Sequence, residues 1–239
     1  MLMKPRNFLN ALLSRWGYKV VKFKLGRPNA ISWLDDVRTL LPADSPVTIL
    51  DIGANRGQSA ESYHALFPQA RILSSEPDPE AFRALADVVA RLPKAQAFQL
   101  AFGESRGTAS FNRFQSSQTN SFLAFDSRYR TETSSAVVKV TVETLDSFCG
   151  QLKIQQIDLL KIDTQGYDLK VLRGGGGLLG RKAIKLVLTE LLFSPQYLEQ
   201  PCFAEFDTFL RSYGYRLLGF YGQSQKGGQL NSCDACWVA

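Results

Sequence analysis

VTILDIGANRGQS, residues 47–59, decides the fold class of this 239-residue chain. Its first six residues are mostly aliphatic or β-branched, which predicts a buried strand that ends around Asp51. Gly53 and Gly57 follow, and glycine at these positions predicts a sharp turn in which the backbone can approach a ligand closely. We expect this turn at a binding crevice, because open α/β sheets bind ligands beyond the carboxyl ends of their strands.

Short β-branched segments alternate with helical segments from Val47 onward. This alternation predicts an α/β fold with a mostly parallel sheet and helices on both faces. The last two predicted strands have no crossover helix between them, only a polar, glycine-rich loop, which favours an antiparallel last strand. The predicted strands are 47–52, 70–75, 96–102, 107–113, 137–142, 157–162, 184–190, 215–220 and 235–239, and the predicted helices are 57–66, 79–91, 143–150, 166–173 and 203–213.

Positive charge is concentrated at the N-terminus. Residues 1–28 contain seven Lys and Arg and no acid, while the remaining 21 basic and 22 acidic residues nearly cancel. We divide the chain into a basic helical extension, 1–42, and one domain, 43–239. The extension has an apolar helical face, so it is either a capping helix or a peripheral contact with an anionic inner membrane surface. The neutral domain argues against nucleic acid as a partner, and without a signal peptide we expect a cytoplasmic protein.

The spacing of the two glycines limits the choice of ligand. Gly53-x-x-x-Gly57 lacks the third glycine of a dinucleotide fingerprint, which disfavours a nicotinamide-dependent oxidoreductase, and no phosphate-loop lysine follows. Asp51 would repel a pyrophosphate but suits the cationic amino and sulfonium groups of S-adenosylmethionine. Glu76 ends the next strand 25 residues later, where an acid can hold both hydroxyls of a ribose; its alternative role is a helix cap. We therefore predict S-adenosylmethionine as the cofactor.

Six blocks of this sequence, in their order, resemble the FkbM-type methyltransferases. They are ILDIGANRGQSA, SSEPDPEAF, LAFGESRGTASF, LLKIDTQGYDLKVLRG, LVLTELLF and SCDACWV, and the resemblance covers about residues 47–239. It implies a Rossmann-like, doubly wound sheet of seven strands with a reversed last strand. It also implies methyl transfer, usually to a hydroxyl oxygen of sugars, glycans or natural products. The chain departs from the family at Gln165, where the family usually has Glu.

The resemblance also implies roles for individual positions. Ser121 and Asp234 match polar positions on the substrate side, and a turn cap is the alternative for Asp234. The residues implied to bind the cofactor, from its methionine part through its ribose to its adenine, are Asp51, Gly53, Asn55, Gly57, Glu76, Phe102 and Gly103.

Methyl transfer to oxygen requires alignment of donor and acceptor and a group that takes a proton. Asp163 ends the predicted strand 157–162 and faces the same crevice as Asp51. It either accepts the proton of the acceptor hydroxyl or coordinates a divalent cation that lowers the hydroxyl's pKa; a helix N-cap is the plain alternative. Glu190 ends the next strand and is expected at the rim of the crevice. Lys161 shares a strand face with Asp163, which predicts an ion pair.

The acceptor we expect is a hydroxyl of a saccharide or lipid-linked glycan. Aromatic residues interleaved with polar ones in Phe114–Arg130 suit contact with a sugar ring. A small natural product is the alternative acceptor, and Gln165 raises the alternative of a non-catalytic scaffold that binds S-adenosylmethionine. His64 is the single histidine, and the Cys233–Cys236 pair lacks further ligands, so we expect packing roles rather than a zinc site.

Overall fold

The computed structural model describes residues 13, 28, 31–41, 46–130 and 132–239, which alternate strands and helices. The strands are β1 (Thr48–Ile52), β2 (Arg71–Ser75), β3 (Ala95–Phe98), β4 (Ala101–Phe102), β5 (Gly107–Arg113), β6 (Ala136–Glu143), β7 (Ile157–Ile162), β8 (Ile184–Leu192), β9 (Arg216–Lys226) and β10 (Gln229–Val238). The helices are α1 (Trp33–Leu40), α2 (Gln58–Leu66), α3 (Pro79–Val89), α4 (Leu145–Gln151), α5 (Asp168–Arg173), α6 (Gly176–Gly180) and α7 (Phe203–Ser212), and a 3-10 turn spans Ser117–Thr119.

Seven strands form the central sheet in the order β3-β2-β1-β7-β8-β10-β9. β1 pairs in parallel with β2 on one side and with β7 on the other. β10 runs antiparallel to both of its neighbours, β8 and β9. The predicted mostly parallel sheet with a reversed last strand is therefore confirmed. The strand order reverses between β1 and β7, so the ends of these two strands open onto the crevice typical of doubly wound folds.

Three predicted strands differ from the structure. The segment 96–102 is divided, because β3 belongs to the central sheet while β4 joins a separate three-stranded sheet, β4-β6-β5. The strands that we predicted as 215–220 and 235–239 extend to a hairpin turn at Gly227 and Gly228, whose φ angles are 60° and 77°. Glycine adopts these positive φ angles without strain, as two-residue hairpin turns require. Most residues near this turn are exposed and polar, so the sequence lacked the apolar alternation that predicts a strand.

The side chains of β1 alternate between two hydrophobic clusters. Leu50 and Ile52 belong to the cluster that includes Leu145 of α4. Ile49 belongs to the other cluster, which α1 joins through Val37. Both faces of the sheet are thus covered, which explains why β1 reads as a continuous aliphatic run rather than an alternating one.

Helix α1 lies within the predicted extension 1–42 and packs on the domain. The ring of Trp33 contacts Tyr63 of α2 edge-on, with 5.9 Å between the ring centroids. The basic segment 1–28 lies outside the described residues except for positions 13 and 28, so its role and the domain boundary stay predictions. Each helix in the described part of the chain is too short or too polar to cross a membrane.

Candidate active site

A cavity of about 530 Å³ opens at the carboxyl ends of the parallel strands. This volume is in the range of small-molecule sites. Residues that follow β1, β2 and β7 line the cavity, together with Glu190 of β8 and the loop 117–120. Ser117 Oγ donates to Asn55 Oδ1 at 3.2 Å, so this loop contacts the turn after β1. The cavity therefore lies at the point where the strand order reverses.

Asp51 lies beneath the cavity and does not line it. Its side chain is fully buried and accepts a hydrogen bond from Ser59 Oγ at the start of α2. Its Oδ1 lies 3.5 Å from Lys161 Nζ. A buried carboxylate is costly unless it is paired, and the ammonium group of Lys161 supplies that pairing.

The two glycines of the turn each have a close protein neighbour. Gly53 has φ of 77°, and a Cβ there would lie 1.9 Å from the carbonyl oxygen of Asp163. Gly57 has φ of 96°, and a Cβ there would lie 3.0 Å from Val88 of α3. Gly53 lines the cavity and Gly57 does not. The missing side chains therefore allow the turn to pack against β7 and α3.

Glu76 follows β2 and lines the cavity. Its Oε2 accepts the N–H of Asn55 at 3.0 Å, and its Oε1 accepts the N–H of Asp78 at 2.9 Å. Burial raises the pKa of Glu76 to about 7, although these two hydrogen bonds oppose the increase. Asp78, and not Glu76, caps α3, with its Oδ1 accepting from the N–H groups of Glu80 and Ala81. Glu76 is therefore not needed as a helix cap.

The end of β4 supplies apolar lining. Phe102 is almost fully buried, lines the cavity beside Leu100, and contacts the Phe148 ring edge-on with centroids 5.1 Å apart. Gly103 does not line the cavity; its N–H donates to the carbonyl of Glu143 at 3.0 Å. Phe102 is thus the member of this predicted pair with a surface available to a flat ring.

Asp163 and Glu190 both line the cavity and share one donor. Gln165 Nε2 lies 2.8 Å from Asp163 Oδ1 and 2.9 Å from Glu190 Oε2. Lys161 Nζ lies 3.4 Å from Asp163 Oδ2, which confirms the predicted ion pair. Burial alone would lower the pKa of Lys161, but the carboxylates of Asp163 and Asp51 raise it above the ordinary lysine value. Burial and the charge of Asp163 raise the pKa of Glu190 to about 8.

Two further acids lie behind this pair and do not line the cavity. Asp234 on β10 is the register partner of Glu190 on β8, and burial together with Asp163 raises the pKa of Asp234 to about 6. Asp168, at the start of α5, is fully buried and accepts a hydrogen bond from Thr189 Oγ1 at 3.0 Å. Burial and Asp163 raise the pKa of Asp168 to about 6. The site is therefore strongly acidic around the buried ammonium group of Lys161.

Ser121 holds the backbone of the segment that follows β7. It is fully buried, and its Oγ donates to the carbonyl of Gln165 at 2.8 Å. Tyr197, in the loop after β8, places its hydroxyl 3.1 Å from Gln165 Oε1 and 2.9 Å from the carbonyl of Thr119. The N-cap of α5 is Tyr167, without a side-chain cap, so Asp163 does not cap the helix that follows it.

Some of the predicted site residues line the cavity, and others do not. Gln165 was not among the predicted site residues, although its place two residues after Asp163 in the K-I-D-x-x-G block, where the family usually has Glu, was a usable signal. Lys161 was predicted only as an ion-pair partner, and it lines the cavity. The predicted residues that line the cavity are Gly53, Asn55, Glu76, Phe102, Asp163 and Glu190, and those that do not are Asp51, Gly57, Gly103, Ser121 and Asp234.

The histidine and the cysteines lie away from the cavity lining. His64 is in the last turn of α2. Cys233 and Cys236 are buried on β10 as free thiols. Across the described ranges, no group of three or more His, Cys, Asp or Glu side chains is arranged to hold a metal ion.

Comparison with known sequences shows the family. Residues 51–217 match the Methyltransferase FkbM domain, and the chain belongs to this family. Among its relatives is "2-O-methyltransferase NoeI" of Sinorhizobium fredii (strain NBRC 101917 / NGR234), 28% identical over 149 residues, or 57% of this chain and 60% of that protein. Another is "Methyltransferase sdnD" of Sordaria araneosa, 30% identical over 154 residues, or 53% of this chain and 59% of that protein. Each match thus spans about 60% of the relative's length.

Solved structures share the fold. The METTL16 methyltransferase domain matches with a TM-score of 0.52 at 13% identity, over 98% of this chain and 78% of that chain. The N-terminal domain of human METTL16 in complex with SAH matches with a TM-score of 0.50 at 12% identity, over 98% and 80%. At this identity the likeness concerns architecture alone.

Proposed function

We propose that this chain is an S-adenosylmethionine-dependent O-methyltransferase that acts on a hydroxyl of a saccharide or glycan. One observation carries the proposal. Glu76, which suits a ribose, and the acids Asp163 and Glu190, which suit a hydroxyl proton, line the same cavity of about 530 Å³. Membership of the FkbM methyltransferase family supports the reaction type.

The cofactor half of the cavity fits a nucleoside with two adjacent hydroxyls. Each carboxylate oxygen of Glu76 accepts one backbone N–H, which leaves further lone pairs for hydroxyl donors. Ser75 Oγ, buried in the cavity lining, has no hydrogen-bond partner among the described residues, so a ligand can satisfy it. Phe102 offers an apolar surface. S-adenosylmethionine supplies an activated methyl group on its sulfonium when bound.

The acceptor half combines hydrogen-bonding groups with aromatic rings. Residues 117–120, SQTN, all line the cavity, as do Phe111 and Phe122, whose ring centroids lie 5.2 Å apart. Polar groups that fix orientation beside aromatic surface are typical of sites for sugars. A relative named as a 2-O-methyltransferase supports oxygen as the methylated atom. The apolar Phe111–Phe122 pair favours a small natural product with a ring hydroxyl as the second candidate.

The acid pair would take the proton that the acceptor loses. A general base works best when its pKa is close to the operating pH, and the pKa of Glu190, raised to about 8, meets this condition. Asp163 accepts from Lys161 and Gln165, so its carboxylate is held in one orientation toward the acceptor hydroxyl. We assign both residues to catalysis. A divalent cation held by Asp163 is the alternative route to a more acidic hydroxyl.

Transfer of labelled methyl from S-adenosylmethionine to a panel of saccharides and a glycan extract tests the proposal. Asp163→Asn should reduce transfer about 100-fold or more, because positioned proton transfer contributes that much. Calorimetry should show binding of S-adenosylmethionine unchanged within about twofold, because the cofactor contacts proposed here lie at Glu76. Asp87→Asn, on the exposed face of α3, is the matched control and should transfer normally.

Three outcomes discriminate among the candidates. Full turnover by Asp163→Asn contradicts the catalytic assignment. Tight binding of the cofactor without transfer to any acceptor favours the non-catalytic scaffold. Loss of transfer on adding EDTA, with recovery on adding Mg²⁺, favours the cation route, whereas unchanged transfer favours direct proton acceptance.

A further inference from the structure

The carboxamide of Gln165 joins the two acids of the site. Its Nε2 donates to Asp163 Oδ1 at 2.8 Å and to Glu190 Oε2 at 2.9 Å, so both of its N–H groups are used on carboxyl oxygens. Asp163 follows β7, and Glu190 lies on β8. These strands pair in parallel with Ile162 opposite Thr189, so the backbone brings the two acids side by side, and the amide joins their side chains.

The orientation of this amide is determined by its neighbours. Tyr197 OH lies 3.1 Å from Gln165 Oε1 and 2.9 Å from the carbonyl of Thr119, so its one proton is shared between these two acceptors, while the nitrogen of Gln165 faces two carboxyl oxygens. A flipped amide would turn Oε1 toward two carboxyl oxygens, which cannot donate when ionised. The backbone is held as well, because Gln165 has φ of 54° and its carbonyl accepts from Ser121 Oγ.

The neutral amide of Gln165 partly offsets the electrostatic repulsion between Glu190 and the acids around it. The pKa of Glu190 rises to about 8 through burial and through the charges of Asp163, Asp168 and Asp234, whereas the hydrogen bond from Gln165 lowers it. Without that bond the carboxyl would hold its proton to a still higher pH. Other charged and titratable groups face the pair from surrounding elements: Lys161 on β7, Tyr63 on α2, Tyr197 in the loop after β8 and Cys233 on β10.

We propose that Gln165 is a positioning residue that binds Asp163 and Glu190 into one proton-accepting pair and holds their carboxyl groups in place. The proposal rests on the proposed function, because the use of the pair is proton acceptance during methyl transfer. Gln165 acts through the two acids and need not touch the acceptor.

Gln165→Glu is the informative substitution, since it keeps the shape of the side chain and changes one NH₂ group to an oxygen. It removes both donors and adds a third acid beside the pair. We expect the apparent pKa of Glu190, about 8 in the unmodified protein, to rise by about one unit or more, because like charges and lost donors both disfavour ionisation. The pH at which kcat reaches half its maximum should rise equally, with cofactor affinity unchanged within about twofold.

The experiment measures two quantities on full-length protein. Carboxyl ¹³C titration by NMR, with Glu190→Gln used for assignment, reports the ionisation of Glu190 whether or not the protein is active. The pH profile of kcat reports its use in transfer. The matched control is Gln151→Glu. Gln151 Nε2 also donates to a carboxylate, Glu143 Oε2 at 3.2 Å, but outside the cavity, so neither quantity should change.

The outcomes separate this inference from the proposed function. If Gln165→Glu shifts the titration of Glu190 but the unmodified protein transfers methyl to no acceptor, the positioning role of Gln165 is supported and the proposed methyltransferase function is contradicted. If the unmodified protein transfers methyl but Gln165→Glu changes neither the titration of Glu190 nor the pH profile of kcat, the positioning role is overturned and the proposed function stands. If Gln165→Glu does not fold, Gln165→Met removes the donors without adding charge and should shift the titration upward by less; no shift there overturns the inference.

Discussion

Replacing Gly53 with alanine should weaken the fold and the site together. Gly53 has φ of 77°, a left-handed conformation that alanine adopts only with strain. A Cβ there would lie 1.9 Å from the carbonyl oxygen of Asp163, whereas real Cβ atoms essentially never come closer than 3.0 Å. The obstacle is backbone, so no side-chain rotation relieves it. The ends of β1 and β7 must separate by about 1 Å, the difference between these two distances.

Two terms give the magnitude. The left-handed conformation costs about 1 to 3 kcal/mol for a residue other than glycine. Overpacking at a closely packed position costs about 1 to 3 kcal/mol more. We therefore expect Gly53→Ala to lower the free energy of unfolding by about 2 to 6 kcal/mol, a large part of the about 5 to 15 kcal/mol that holds a typical domain. Asp163 directly follows β7, so a shift of that strand displaces its carboxylate. We therefore expect kcat to fall by at least about tenfold in the protein that remains folded.

Equilibrium unfolding in urea, followed by circular dichroism, measures the loss of stability. Methyl transfer in the absence of urea, at a temperature well below the thermal unfolding transition, measures the fall in kcat. Gly150→Ala is the control. Gly150 lies in α4, and a Cβ there would meet nothing within 4 Å. That variant should be stabilised by up to about 1 kcal/mol, because alanine favours helix over glycine. A Gly53→Ala protein as stable and as active as the unmodified one would refute the packing argument.

Two more results are expected. The folded protein should lose stability in urea as pH rises from about 5 to about 8.5, because burial raises the pKa of Glu76 to about 7 and of Glu190 to about 8. The folded state then binds more protons than the unfolded one in that window, so the free energy of unfolding falls with pH, and Glu190→Gln should flatten the upper part of the slope; stability that rises through this window would contradict the burial of these acids. Glu76→Gln should weaken S-adenosylmethionine binding about 10- to 100-fold in calorimetry, by the loss of charge-assisted hydrogen bonds to hydroxyls. The exposed Glu80→Gln should bind normally, and equal affinities would remove Glu76 from the cofactor site.

Most of the fold was predictable from local sequence patterns. The aliphatic run of β1 with its glycine turn, and the alternation of strands with helices, predicted the parallel sheet that the structure has. The sequence also predicted the ion pair of Lys161 with Asp163, because residues two apart on a strand share a face. It failed at 96–102, where one extended segment serves two sheets, since strand periodicity carries no information about the pairing partner.

The site, like the fold, was predictable from the sequence only in part. Residue type and strand-end position selected Glu76, Asp163 and Glu190 for one crevice, since the carboxyl ends of parallel strands meet at one edge of a sheet, and all three line the cavity. Asp51 also lies near a strand end but in the layer beneath the cavity, and strand-end position alone does not distinguish it from the acids that line the cavity.

What the sequence by itself determined is therefore what neighbouring residues encode: the buried strand that contains Asp51, the left-handed glycine turn after it, and the acids at the strand ends. Only the tertiary structure decided which groups meet across the sheet. Gln165 reaches Glu190 from 25 residues away, and Ser121 reaches Gln165 from 44. Such contacts depend on strand register and loop closure, which are set by packing of the whole core, so no local pattern in the chain contains them.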